Sequence, residues 1–156
     1  MKLKLAITIL SLYCIFMVGK GGESEFIILL TRGYRLSKTS NDNIIVTPWT
    51  YYEDTPIIPS KVVEIAWNDN FVIAKRQKMR LWNRFSGDKI QIPIPDSYDY
   101  WIFNFTEKQP LLLGPLNIED FKNKQKKLGI TLVLEKIENI SKQPAPWDPQ
   151  IKDNSR

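Results

Sequence analysis

The sequence has no histidine among its 156 residues, and this absence removes several kinds of chemistry. Serine–histidine hydrolysis needs an imidazole as its general base, and most zinc sites use imidazole or thiolate ligands. The single cysteine, Cys14, lies near the start of the chain. The remainder therefore has no thiol for a disulfide or a thiolate metal site, and we expect neither a metal nor a cofactor.

Excess charge is also nearly absent once the first segment is set aside. Residues 1–22 hold three lysines and no acidic residue, so the remainder carries 19 basic residues against 17 acidic ones. The net charge of +5 for the whole chain comes largely from this segment. Because nucleic-acid binding needs a concentrated basic face, we do not expect a nucleic acid as the partner.

The first segment has the order of an export signal. Lys2 and Lys4 precede an uncharged, largely apolar run over residues 5–18, and three of the next four residues are glycine. That run is short for the roughly 30 Å hydrocarbon layer of a membrane. We interpret residues 1–22 as a signal peptide, with an uncleaved membrane anchor through residues 5–18 as the alternative. This interpretation predicts that the protein is exported and is either periplasmic or associated with the cell envelope.

A lipid on Cys14 would be another way to attach the chain to a membrane. We disfavour this lipoprotein interpretation, because Ser11-Leu12-Tyr13 lacks the small residue usually needed beside the modified cysteine. The apolar run also continues past Cys14.

Composition and length predict one folded domain. Hydrophobic residues make up 43% and charged residues 25%, close to the averages for soluble globular proteins. We expect a single domain over residues 23–140, and a flexible tail over residues 141–156 because that stretch is rich in proline and polar residues. Aromatic residues at 12% favour a sheet.

Alternating and β-branched runs predict the strands. The clearest is a hairpin over residues 61–77 with a turn at 68–70, in which Val63, Ile65 and Trp67 should share one face. Pro93 and Pro95 argue against a central strand, so residues 78–98 should form a loop or insertion with an edge strand. The other expected strands are EFIILLTR (25–32), NIIVTP (43–48), YWIFNF (100–105), PLLLGP (110–115) and TLVLEKI (131–137).

One helix is predicted after Gly114 and Pro115 end a strand. Asn117 can cap the first free backbone donors, acidic residues follow in the first turn, and Gly129 suits the left-handed position at the end. Its narrow apolar face comprises Ile118, Phe121, Gln125 and Leu128. The predicted fold class is α+β: a mostly antiparallel, twisted β-sheet with one main C-terminal helix packed on it.

Carboxylates are the remaining candidates for acid–base chemistry. Adjacent carboxylates diverge in direction unless a loop folds them together, which favours roles at the surface. The S-x-x-K spacing of residues 86–89 is flanked by turn and strand patterns, whereas serine acylases place that motif on a helix. The candidates are Glu53 with Asp54, Glu64, Asp69, Asp96 with Asp99, and Glu119 with Asp120.

Aromatic residues are the better candidates for binding. Tyrosine and tryptophan dominate binding hot spots, although core packing is the ordinary role of such side chains. The densest basic stretch contains Lys75, Arg76, Lys78, Arg80 and Arg84, interleaved with apolar residues that include Trp82, and it could meet anionic lipid or an acidic partner. The candidate binding residues are Trp49, Tyr51, Tyr52, Trp82, Tyr100 and Trp101.

The order of three motifs resembles a known family. Residues 70–77 read NFVIAKRQ, residues 100–104 read YWIFN, and residues 114–121 read GPLNIEDF. This order resembles an uncharacterised bacterial family of small exported proteins and lipoproteins, a domain of unknown function, over roughly residues 25–135. The resemblance implies export, but no reaction.

The sequence therefore favours a non-catalytic exported protein that binds an unknown protein or envelope component. The alternative is an envelope hydrolase that uses carboxylates in the loops at residues 49–60 and 94–101.

Overall fold

The fold is known from a computed structural model, which describes residues 25–50, 52–83, 87 and 89–140. The signal segment 1–22, Cys14 and the tail 141–156 lie outside these residues. Within the described residues, no helix is both long and apolar enough to cross a membrane.

The chain forms two antiparallel sheets. A three-stranded sheet contains β1 (Phe26–Leu29), β2 (Tyr34–Lys38) and β3 (Ile44–Pro48) in that order. A five-stranded sheet has the order β7-β6-β5-β4-β8. Its strands are β4 (Val62–Trp67), β5 (Phe71–Asn83), β6 (Lys89–Asn104), β7 (Leu111–Leu116) and β8 (Glu135–Lys136). Two helices follow, α1 (Ile118–Leu128) and α2 (Ile137–Ile140).

The five-stranded sheet is covered on both faces because its strands are apolar on both sides. The inner cluster lies against the three-stranded sheet and includes Leu36, Val46, Ile65 and Phe103, all with no exposed surface. The outer cluster, built around Ile73, Ile102 and Phe121, lies under α1. A mostly antiparallel sheet with a helix on one face is confirmed, although the helix is small.

The prediction that residues 78–98 form a loop or insertion with an edge strand was wrong for most of this segment. Residues 78–83 and 89–98 belong to two long paired strands that continue past the rest of the sheet. Pro93 and Pro95 are accommodated because β7 pairs with β6 only over Tyr100–Asn104, so β6 has one neighbour where the prolines lie. Residues 94–97 bulge out opposite Lys78, and Asp96 adopts a positive φ of 51° there.

Two other strand predictions need correction. A bulge between Val62 and Glu64 shifts the alternation, so Val62 replaces Val63 on the inner face with Ile65 and Trp67. The predicted strand at residues 131–137 is reduced to β8, which pairs with β4. Before it, Leu132 and Leu134 cover the outer cluster from an extended segment.

Two contacts define the ends of this sandwich. The Thr31 hydroxyl donates to the Asp69 carbonyl at 3.2 Å, so the β1–β2 turn lies beside the β4–β5 turn, and we call this the turn end. Lys61 pairs with Asp42 at 2.5 Å, so the β2–β3 turn lies beside the start of β4, at the opposite end. Long β5 and β6 project from that second end, which we call the arm end.

The caps of α1 are those predicted from the sequence. The Asn117 Oδ1 accepts a hydrogen bond from the Asp120 backbone N–H at 2.8 Å. Gly129 ends the helix at φ 66°, in the left-handed region, and its backbone N–H donates to carbonyls of the last turn. Phe121 carries the buried face, whereas Ile118 stays 45% exposed.

We predict that Asn117→Ala lowers the free energy of unfolding by about 1 kcal/mol, because one backbone donor of the first turn loses its side-chain acceptor. Chemical denaturation measures this loss. Asn123→Ala is the matched control, since Asn123 is exposed within the same helix and alanine favours helix there. Equal stabilities of the two variants would contradict the capping role.

Candidate functional site

The structure divides the six candidate aromatic residues into exposed and internal ones. Tyr51 lies outside the described residues. The exposed fractions are 60% for Trp49, 70% for Tyr52 and 46% for Trp82. Tyr100 and Trp101 have partners inside the domain. Only the first group presents aromatic surface to a partner.

Tyr100 and Trp101 pack on opposite faces of β6. Tyr100 stacks on Phe121 of α1 with ring centroids 4.9 Å apart and thus helps to hold the helix on the sheet. Trp101 is 9% exposed on the inner face. Gly114 lies so close to Trp101 that a Cβ atom at residue 114 would sit 2.5 Å from the indole ring. Gly114 is therefore needed for close packing, and its φ of 147° also favours glycine.

A buried ion pair closes the inner face at the arm end. The Asp99 carboxylate accepts hydrogen bonds from Arg76 Nε at 2.9 Å and Arg76 Nη2 at 2.6 Å. Asp99 also accepts from Trp101 Nε1 at 2.6 Å, while Arg76 Nη1 donates to the Ser60 carbonyl at 3.1 Å. Asp99 is 3% exposed. This bidentate pair explains how a carboxylate can be buried here, because its oxygens have charged or polar donors.

Sequence reasoning named Arg76 and Asp99 separately and did not pair them. The spacing of Asp99 and Trp101 does place them on one face of a strand. Pairing Arg76 with Asp99 requires the register of β5 and β6, in which these two residues are directly opposite.

The projecting part of β5 and β6 is a two-stranded ribbon. We call residues 78–83 and 89–93 the arm. Its paired residues extend roughly 14 Å from Met79 to Asn83. Among the described elements, β5 contacts only β4 and β6, and β4 pairs with β5 no further than Arg76. The arm therefore has no other described element of the domain packed on it.

The arm combines exposed apolar side chains with basic ones. Opposite residues of an antiparallel pair share a face, so Trp82 lies with Ile90 and Arg80 lies with Ile92 on one face. Leu81 lies on the other face and is 65% exposed. Lys78, Arg80 and Lys89 are exposed as well, and neither run of the arm contains an acidic residue. This surface can bind a partner that is both anionic and partly apolar.

The turn end carries a cavity with two carboxylates in its lining. The cavity of about 380 Å³ is lined by Tyr34, Tyr52, Glu53 and Asp54 together with Pro110 and neighbouring residues. The Tyr34 hydroxyl donates to the Pro56 carbonyl at 3.4 Å, and burial raises the pKa of Tyr34 above its ordinary value of 10.0. Near this end, Arg35 lies over the ring of Trp49 at 4.7 Å.

The carboxylates of the two loops considered for hydrolysis do not come together. Glu53 and Asp54 border the turn-end cavity beside Pro110, whereas Asp99 lies opposite Arg76 at the arm end. Five residues of β6, roughly 17 Å, separate Asp99 from Asn104, which pairs with Leu111 next to Pro110. Asp96 lies still further along, in the bulge.

Other candidate carboxylates have partners nearby. Glu64 accepts from Lys75 Nζ at 2.8 Å, and this hydrogen bond raises the pKa of Lys75. Asp120 accepts from the Asn117 side chain at 2.7 Å, and Glu119 lies in the first turn of α1. Within the described part of the chain, no three potential metal ligands are grouped. Of the S-x-x-K spacing, Ser86 lies outside the described residues and Lys89 begins a strand.

We predict that Asp99→Asn lowers the free energy of unfolding by about 3 kcal/mol, because Arg76 loses its counter-ion in a buried site and would face an amide donor. Asp96→Asn is the control and should change stability by less than about 0.5 kcal/mol, since Asp96 is exposed and asparagine tolerates its positive φ. Urea denaturation compares the two. A small loss in Asp99→Asn would show that the ion pair does not hold the arm end together.

We also predict a loss of stability at alkaline pH. Tyr34 has a folded pKa above 10.0, so its contribution is complete below pH 10.0. As the pH rises further, the unfolded state ionises first and is favoured. The midpoint temperature of thermal unfolding should therefore fall more steeply between about pH 8 and about pH 11 for the wild type than for Tyr34→Phe. Parallel curves would contradict this role, since Lys75 is present in both proteins.

A comparison with protein families identifies a match to the family model described as "Protein of unknown function (DUF3997)" over residues 31–138. No curated protein and no solved structure matches the chain in the corresponding comparisons. The match covers most of the sequence and includes both sheets except β1, together with α1 and the arm. It confirms the resemblance to a domain-of-unknown-function family, and the chain belongs to the DUF3997 family.

Proposed function

We propose that this protein is a non-catalytic, exported protein of the cell envelope that binds a macromolecular partner through the arm. The observation that carries the proposal is the arm itself, a basic ribbon with Leu81 and Trp82 exposed and with no described element outside its own two strands packed on it. A two-stranded ribbon is at best marginally stable alone in water. Exposed apolar surface of this kind is typical of interaction sites.

The roles of the carboxylates support a binding function over catalysis. Asp99 is held by Arg76 and Trp101, and Glu64 is held by Lys75. These contacts occupy both carboxylates with partners inside the protein, whereas a catalytic carboxyl has to be within hydrogen-bond reach of a substrate. Glu53 and Asp54 lie at the other end of the domain.

Export is supported by the sequence alone. The positively charged start, the uncharged run over residues 5–18 and the glycines that follow have the order of a signal peptide or anchor. An envelope location brings the arm near membrane surfaces and envelope polymers, many of which are anionic.

Sedimentation with purified envelopes of the bacterium that encodes the chain tests the proposal. We predict that the full-length protein sediments with these envelopes and that Leu81→Ser combined with Trp82→Ala lowers the bound fraction at least about tenfold, since each side chain buries apolar surface worth over 1 kcal/mol on binding.

The matched control is Ile118→Ser combined with Val133→Ala, which also removes two exposed apolar side chains, here outside the arm. Circular dichroism verifies the fold of both variants. Equal binding by the two double variants would contradict the arm as the binding surface. Recovery of unprocessed protein only from the cytosol would contradict export, and turnover of a substrate by the purified protein would contradict a non-catalytic role.

A further inference from the structure

We propose that the partner of the arm is the surface of an anionic phospholipid bilayer. This inference rests on the proposed function and specifies its ligand. The basic residues of the arm would contact phosphate headgroups. Its exposed apolar residues would lie at the boundary between headgroups and acyl chains.

The charge of the arm matches an anionic surface. Lys78, Arg80 and Lys89 are exposed, and the two runs of the arm contain no acidic side chain. Exposed Asp96 lies at the base of the arm, in the bulge opposite Lys78, and leaves Arg80 and Lys89 further out on the ribbon. The connecting residues 84–88 contain one arginine and one aspartate, so they leave this balance unchanged. Residues 23–140 contain 16 basic and 15 acidic residues, so the arm carries a local excess of positive charge that the remainder of the domain largely offsets. Each basic residue near an anionic membrane contributes about 1 kcal/mol to binding.

The apolar side chains of the arm suit a membrane interface. Tryptophan prefers the boundary between headgroups and acyl chains because its ring is apolar and its N–H is polar. Trp82 and Leu81 lie on opposite faces of the ribbon near its far end, so both faces present apolar surface. A folded protein partner would cover one face with a complementary surface. A fluid interface can surround both faces, which favours lipid.

The first described residue lies at the same end of the domain as the arm. Phe26 pairs with Lys38, which precedes the β2–β3 turn, and Asp42 of that turn pairs with Lys61 at the arm end. Glu25, the first described residue, therefore lies at the arm end. Residues 19–25 between the uncharged run and β1 can span at most about 25 Å. If residues 5–18 are retained as an anchor in the bilayer, they bring the arm end, and not the turn end, towards the lipid.

Vesicle binding tests this inference with the full-length protein. The vesicles contain phosphatidylcholine alone or phosphatidylcholine with about 30% phosphatidylglycerol, a negatively charged lipid. We predict tighter binding to the charged vesicles. The affinity for these vesicles should be about 100-fold lower in the triple variant Lys78→Gln, Arg80→Gln, Lys89→Gln. Salt at about 0.5 M should also lower the affinity of the wild type for them.

The control separates the arm from net charge. Lys108→Gln, Lys122→Gln, Lys124→Gln removes the same three charges from exposed residues outside the arm and should retain most of the binding. All variants carry the same residues 1–22, so binding to phosphatidylcholine alone measures any contribution of the leader. Brominated phosphatidylglycerol should quench tryptophan fluorescence in the wild type and much less in Trp82→Phe.

The outcomes distinguish the two proposals. Equal losses in the two triple variants, or equal binding to charged and neutral vesicles, would overturn the lipid assignment. If binding to envelopes depends on the arm while binding to charged vesicles does not occur, the partner is another envelope component, such as an acidic protein. The proposed function would then stand without the lipid inference. If the arm variants retain binding to envelopes and binding to charged vesicles, both proposals are overturned.

Discussion

The ion pair between Arg76 and Asp99 is the interaction on which the arm end depends. Both residues are largely removed from water, and their hydrogen bonds link β5, β6 and the segment before β4. A buried pair of this kind adds little net stability over apolar packing, but a shift in register would leave both charges unpaired. The pair therefore selects the alignment of β5 and β6, and this alignment in turn sets which arm residues face each other. The inner core and the arm are linked through one pair of opposite residues.

The sandwich separates its charged features along its length. The turn end carries Glu53 and Asp54 beside exposed Trp49 and Tyr52, whereas the arm end carries basic residues beside Leu81 and Trp82. The two apolar clusters lie between these ends. In the proposed binding role, the arm contacts an anionic surface while Glu53 and Asp54, at the other end of the domain, stay away from that surface.

Local signals in the sequence were sufficient for the parts of the fold that depend on local chemistry. Asn117 and Gly129 have side-chain or conformational properties that define helix ends, and the residue 68–70 turn is short enough to determine its hairpin. The long pairing of β5 with β6 could not be predicted, because Pro93 and Pro95 are acceptable only where one neighbouring strand is missing. The apolar run at residues 131–137 predicted a whole strand, of which only Glu135 and Lys136 pair in the sheet. It could not indicate that this segment lies on the sheet and not within it. Of the candidate site, composition identified the basic and aromatic stretch, whereas the exposure of Trp82 and the burial of Trp101 depend on register.

The contact between Gly114 and Trp101 also limits how sequences of this family can diverge. The space that a side chain at residue 114 would occupy is filled by the indole, at an approach of 2.5 Å to a Cβ atom. Loss of the indole would free that space but would also remove a hydrogen-bond donor to Asp99. Residues 101 and 114, one on each of two neighbouring strands, are thus expected to covary with each other and with the carboxylate at residue 99. A family alignment would contain this structural constraint as a statistical coupling among three columns.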